Sequence, residues 1–136
     1  GIALQEPNVR SVGHNHLYDF MASPDIRYRV FYVTQTTHKS NGLFETYGLN
    51  LFVVDRLMDD GGNELEIQSY AKETLDNIIN RFCEAFQAED VGVRKYQPFT
   101  EKFNDLCAGM WVTVEIELPK DIICPEIYLM EEQYNG

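Results

Sequence analysis

The chain has 136 residues, is 44% hydrophobic and carries eight Phe and eight Tyr, enough apolar side chain for one compact domain and too little chain for a second. Its 22 Asp and Glu against 11 Lys and Arg give a formal charge of -11. Phosphate recognition rests on clustered basic residues, so specific nucleic-acid binding is not expected; such a surface either keeps a protein soluble or lines a passage along which DNA slides without sticking.

Cys83, Cys107 and Cys124 lie far apart and show no C-x-x-C spacing, which reads as reduced thiols and not as a disulfide framework. No apolar run approaches the roughly 20 residues of a membrane span, and the first residues lack the charged-then-apolar order of a signal peptide. The expectation is a soluble protein made in a reducing compartment, with no membrane partner. The chain opens on Gly1, which fits either a cleavage scar or a native residue, so residues 1–8 carry little weight. Without repeats, low-complexity tracts or linkers, 1–136 reads as a single domain, with 1–12 and 119–136 as candidate extended arms.

In chain order, Asn15 to Ala22 reads as a short helix that stops before Ser23-Pro24, because the residue ahead of a proline disfavours helix. Arg27 to Thr36 and Leu43 to Val54 are rich in aromatic and β-branched residues and read as strands. Thr37 to Gly42 between them is a polar loop ending in Asn-Gly, consistent with an antiparallel hairpin. Glu64 to Phe86 carries the strongest signal: Ile67, Ala71, Leu75, Ile78, Phe82 and Phe86 recur every three or four residues, which is one buried helix face. Val91 to Phe99 and Trp111 to Leu118 read as a second strand pair. In the latter, Val112, Val114, Ile116 and Leu118 alternate with Thr113, Glu115 and Glu117, so one face is wet. Pro98 to Gly109 is too long for a tight turn and reads as an extended loop carrying Phe99 and Phe103. Trp111 is either a core anchor or part of an exposed patch. The expected class is α+β: a mostly antiparallel four-stranded sheet with one long and one short helix packed on it.

The acidic junction Asp55-Arg56-Leu57-Met58-Asp59-Asp60-Gly61-Gly62-Asn63-Glu64-Leu65-Glu66 holds five carboxylates in twelve residues. Hard cations need several convergent oxygens, but the calcium-loop spacing is absent: with Asp59 at its first position, Gly61 stands where Asp or Asn belongs. A capped helix start explains more of it. Gly61-Gly62 makes the turn, Asn63 sits at the N-cap, Glu66 returns to the cap amide three residues on, and both Glu64 and Glu66 face the positive helix end. An ion or an interface contact is the alternative. His14-Asn15-His16 is not the spread His, Asn and His set of a ββα-metal nuclease, and no close-set cysteines complete a zinc site. No serine sits in a G-x-S-x-G elbow and no Gly-rich loop follows a strand, so no catalytic residue, metal or cofactor is assigned.

Three stretches together resemble small virion proteins of tailed phages and prophages of gut Bacteroidetes, including crAss-like phages. They are Val53-Val54-Asp55-Arg56-Leu57-x-Asp59 running into Asn63-Glu64-x-Glu66-Ile67-x-Ser69; Thr74-Leu75 with Ile78-Ile79; and Pro98-Phe99-Thr100-Glu101-x-Phe103-x-Asp105-x-x-Ala108-Gly109. The resemblance spans Tyr28 to Cys124 and departs from the pattern at Gly61-Gly62 and Met110. The order of elements also looks like the tail-terminator or tail-completion fold. What the resemblance implies is a non-enzymatic protein of the virion, made in the bacterial host cytoplasm: a homo-oligomeric ring, for instance a hexamer, that joins tail and neck proteins while DNA passes through. Its implied interface candidates are Asp55, Arg56, Asp59, Asn63, Glu64, Glu66, Phe99, Thr100, Glu101, Phe103 and Asp105. A monomeric adaptor using the 98–109 loop and the C-terminal arm is the alternative, and a metal-dependent hydrolase centred on Asp55 to Glu66 is a third reading.

Overall fold

The computed structural model describes residues 2–6, 9–14, 21, 28–58, 62–103, 105–119 and 129. After a 3-10 turn at Ala3–Gln5, the elements are β1 (Ser11–His14), β2 (Val30–Ser40), β3 (Phe44–Arg56), α1 (Glu64–Phe86), β4 (Glu89–Lys102) and β5 (Leu106–Pro119). The architecture is α+β, with one long helix packed on a five-stranded mixed sheet of order β1-β2-β3-β5-β4. This corrects the expected four-stranded antiparallel sheet: β2, β3, β5 and β4 pair antiparallel, but β1 joins the same sheet parallel to β2, with Ser11 opposite Val30, so the sheet is five-stranded and mixed. Its Ser-Val-Gly-His sequence is too short to show a period of its own, so only its neighbour makes it a strand. The short helix expected over 15–22 lies outside the described residues apart from Met21.

Both expected loops prove to be largely strand. β2 runs to Ser40, and the hairpin closes at Asn41-Gly42-Leu43. Asn41 Oδ1 accepts from the amides of Leu43 (3.1 Å) and Phe44 (2.8 Å), while Gly42 supplies φ 91°. Similarly, β4 continues through Pro98 to Lys102 and β5 starts at Leu106, pairing Lys102 with Leu106 and Phe99 with Gly109. Pro98 is tolerated because β4 is an edge strand, where a missing amide need break no ladder bond.

The helix spans the expected residues and lays Ile67, Ala71, Leu75, Ile78, Ile79 and Phe82 on the sheet. Opposite them stand Phe31 and Val33 of β2, Leu49, Leu51 and Val53 of β3, and Val112, Val114, Ile116 and Leu118 of β5. Ile2, Ala3, Val9 and Leu129 close this core from the two ends of the chain. The other face of the sheet is not uniformly wet. Met21, Val30, Val54 and Cys107 are buried there with Phe52, Phe99 and Phe103 against them, and Trp111 stacks on Phe52 with ring centroids 5.7 Å apart. Trp111 is half-buried on this second face and is not part of the helix-side core. Towards Glu115 the same face returns to solvent.

Gly109 permits the tightest approach in the sheet. A Cβ added there would collide with the Val53 carbonyl oxygen and lie 3.0 Å from the Phe99 ring. Gly109→Ala is therefore expected to cost about 1–3 kcal/mol, the range for overpacking, read as a lower denaturation midpoint with an unchanged slope. Ala at Gly42, where open space surrounds the added atom, should cost only the backbone strain of its positive φ.

Candidate functional site

The described candidate interface residues, from two separate stretches of sequence, converge on one end of the molecule, where β3 ends, α1 starts and the β4–β5 turn lies. Sheet register sets Asp55 opposite Ala108 and Arg56 opposite Cys107. Thr100 donates from Oγ1 to Glu64 Oε1 at 2.7 Å, joining β4 to the first turn of the helix. Leu57 N donates to Leu106 O at 2.9 Å, which holds the exit of β3 against the start of β5. Asp59 and Asp60 lie outside the described residues.

Asn63 does not act as the expected side-chain cap. Its Oδ1 accepts from Met58 N at 2.8 Å and its Nδ2 donates to Arg56 O at 3.3 Å, so the side chain turns back to tie down the strand exit. No side-chain bond reaches the helix amides, and Glu66 is exposed, so the capping box is not formed. Side-chain competition for nearby backbone groups explains the difference: an Asn at a strand-to-helix corner can serve either element. Glu64 and Glu66 still occupy the first turn and complement the helix dipole.

Asp55 is the organising carboxylate, and its charged partner is Arg29. Arg29 Nε lies 3.5 Å from Asp55 Oδ2, and the Tyr70 hydroxyl donates to the same oxygen at 2.8 Å. The Arg29 guanidinium also sits 3.5 Å above the centre of the Tyr70 ring. Thus β2, β3 and α1 meet in one polar cluster. Arg56 is exposed and makes no ion pair with the described residues. Arg29 was recoverable from sequence only through register: once Val30 pairs with Val54, the flanking Arg29 and Asp55 are neighbours.

Phe99 and Phe103 are half-buried packing residues of the second face. Asp105 is likewise engaged within the chain, accepting from Tyr28 OH at 3.0 Å. Thr100 and Glu101 are exposed on the edge strand. A second charged cluster, absent from the sequence reading, fastens β4 to the middle of α1. Arg94 Nη1 reaches Asp76 Oδ1 at 2.9 Å, Arg94 Nη2 reaches Asn80 Oδ1 at 2.8 Å, and Arg94 Nε pairs with Asp90. Among the described residues no group of three or more His, Cys, Asp or Glu is placed to hold a metal ion. Among the described residues no helix is long and apolar enough to cross a membrane.

Burial pushes the phenols of Tyr28 and Tyr70 above their ordinary value, and the hydrogen bonds that Tyr28 makes with Cys107 and Asp105 and that Tyr70 donates to Asp55 add to the rise. Burial likewise pushes up the thiols of Cys83 and Cys107, so neither is an activated nucleophile. Because all four values are raised in the fold, their stabilisation is complete below the unfolded values of 9.0 and 10.0 and is lost as pH climbs through the folded ones. Stability should therefore fall above about pH 9 to 10, and Tyr28→Phe and Tyr70→Phe should flatten that alkaline slope in denaturant titrations.

Asp55→Ala removes the shared acceptor of Arg29 and Tyr70 and is expected to cost about 1–3 kcal/mol, whereas Arg56→Ala should stay within about 0.5 kcal/mol. Equal effects in urea melts would contradict this division of roles. No protein-family model matches the chain, and no curated protein matches its sequence.

Proposed function

We propose that the chain is a non-enzymatic structural subunit of a tailed-phage or prophage virion, a ring-forming tail-completion or neck protein that joins tail and head-proximal proteins. The tail-terminator likeness of its architecture is part of this reading. The observation that carries it is the end of the molecule just described. There, residues of the first and third stretches of the resemblance come together, and Met58, Leu65 and Leu106 stand 58%, 81% and 49% exposed beside them. Exposed apolar side chains with a polar rim of Arg56, Glu66 and Glu101 have the make-up of a contact surface.

Ring closure has a natural route in the sheet. Among the described residues the outer side of β4, fourteen residues long, pairs with no other strand. Edges of that length are normally blunted or paired, and a closed ring of subunits buries them without leaving a free end. The acidic charge suits a lumen through which DNA passes without binding. The adaptor alternative is less favoured, since most of its expected 98–109 loop is strand and Phe99 is half-buried against the second face of the sheet.

Light scattering and negative-stain imaging of the purified protein, alone and mixed with a tail-tube protein, test the proposal. Closed rings or a ring capping the tube are expected; a monomer that joins neither overturns it. Met58→Lys with Leu65→Lys should leave folding stability within about 0.5 kcal/mol per site, because both are exposed. If these side chains are buried on assembly, each contributes about 1.5–3 kcal/mol, so the double variant should weaken association at least tenfold.

A further inference from the structure

One flank of α1 does not lie flat on the sheet. Tyr70, Glu73, Thr74, Asn77 and Arg81 line it, and across from them stand Glu6, just after the 3-10 turn, and Arg29, just before β2. Between them is a cleft of about 340 Å3, at the small end of the range that takes ligands. Its floor carries an unusual group for a surface groove: a carboxylate, Glu6, whose side chain is only 7% exposed. Glu6 Oε1 lies 3.3 Å from Arg81 Nη1, close enough for charge attraction, yet it accepts no hydrogen bond. Buried carboxylate oxygens are ordinarily satisfied by directed donors, so this one is an acceptor awaiting an N–H.

The remaining charges set the sign of what would supply it. Arg29 is committed to Asp55 and stacked on Tyr70, which neutralises it locally. Arg81 then stands alone against Glu6 and the exposed Glu73 at the rim, leaving the cleft with an excess negative charge inside a chain of formal charge -11. Anions are disfavoured by both the local and the overall field. The Asn77 amide adds polar capacity along the same helix flank.

We propose that this cleft binds a small organic cation with several N–H donors, of the guanidinium or alkylammonium class, with Glu6 as its buried acceptor and Glu73 closing the rim. The same chemistry is offered by a free guanidine or diamine and by an Arg or Lys side chain of another protein. This site does not rest on the assembly reading, whose contact residues at the strand–helix junction are the exposed Met58, Leu65 and Leu106.

Amide NMR and calorimetric titration with methylguanidinium, putrescine and N-acetyl-arginine amide test it, with acetate as the anionic control. Saturable one-to-one binding is expected, with shifts confined to residue 6, residue 29 and residues 70–81. Glu6→Gln should weaken binding at least tenfold and Glu73→Gln by a few-fold, with the fold verified by circular dichroism. Should Glu6→Gln fail to fold, Glu73→Gln and Asn77→Ala carry the comparison. Binding by the small cations alone assigns a free ligand, and tighter binding by the arginine amide assigns a protein side chain; both support the site. Absence of saturable binding by all three cations, unchanged affinity in the folded variants, or tighter binding of acetate overturns it.

Discussion

The fold depends on the pairing of β3 with β5. Thirteen residues of β3 lie in unbroken register against β5, from Phe44 opposite Pro119 to Arg56 opposite Cys107. Because side chains alternate across a strand, a slip of one residue would turn Leu49, Leu51 and Val53 away from the helix and bring Asn50 and Phe52 under it. That single register places the apolar rows of both strands on one face, where α1 covers them, and sends Phe52 and Trp111 together to the other. It also fixes the close approach at Gly109, where the neighbouring strand leaves no room for a side chain.

Charged groups then determine how the helix sits on this frame. Asp55 anchors one end through Arg29 and Tyr70, while Arg94 gathers Asp76, Asn80 and Asp90 on the β4 flank. Half-buried and multiply hydrogen-bonded, these clusters are of more consequence than isolated surface pairs such as Lys39 with Glu115, 3.9 Å apart. Their separation leaves the third flank of α1, towards Glu6, polar and open. The acidic junction thus divides by role: Asp55 and Asn63 shape the corner, while Arg56 and Glu66 remain at the surface.

That division bears on the proposed assembly role. Residues tied inward by hydrogen bonds are poor candidates for energetic contact with a partner, since their polar groups are already satisfied. Exposed Met58, Leu65 and Leu106 are better ones, because burying them on association releases water from apolar surface. The contact surface proposed for assembly is the solvent-facing rim of the junction, supported from beneath by its carboxylate and amide.

How much was legible in the sequence follows from the range of each signal. The helix from Glu64 to Phe86 and the alternation in Val112 to Leu118 are written in local periodicity, so the helix's extent and the buried faces of both could be read from the chain alone, though β5 begins earlier, at Leu106. Whether Pro98 to Gly109 is loop or strand, whether Ser11–His14 joins a sheet, whether Asn63 caps or braces, and which basic residue pairs with Asp55 depend on neighbours distant in sequence. Those choices belong to the tertiary structure: hydrogen bonds and ion pairs go to whichever donor the register brings within reach, and register is a property of two strands together.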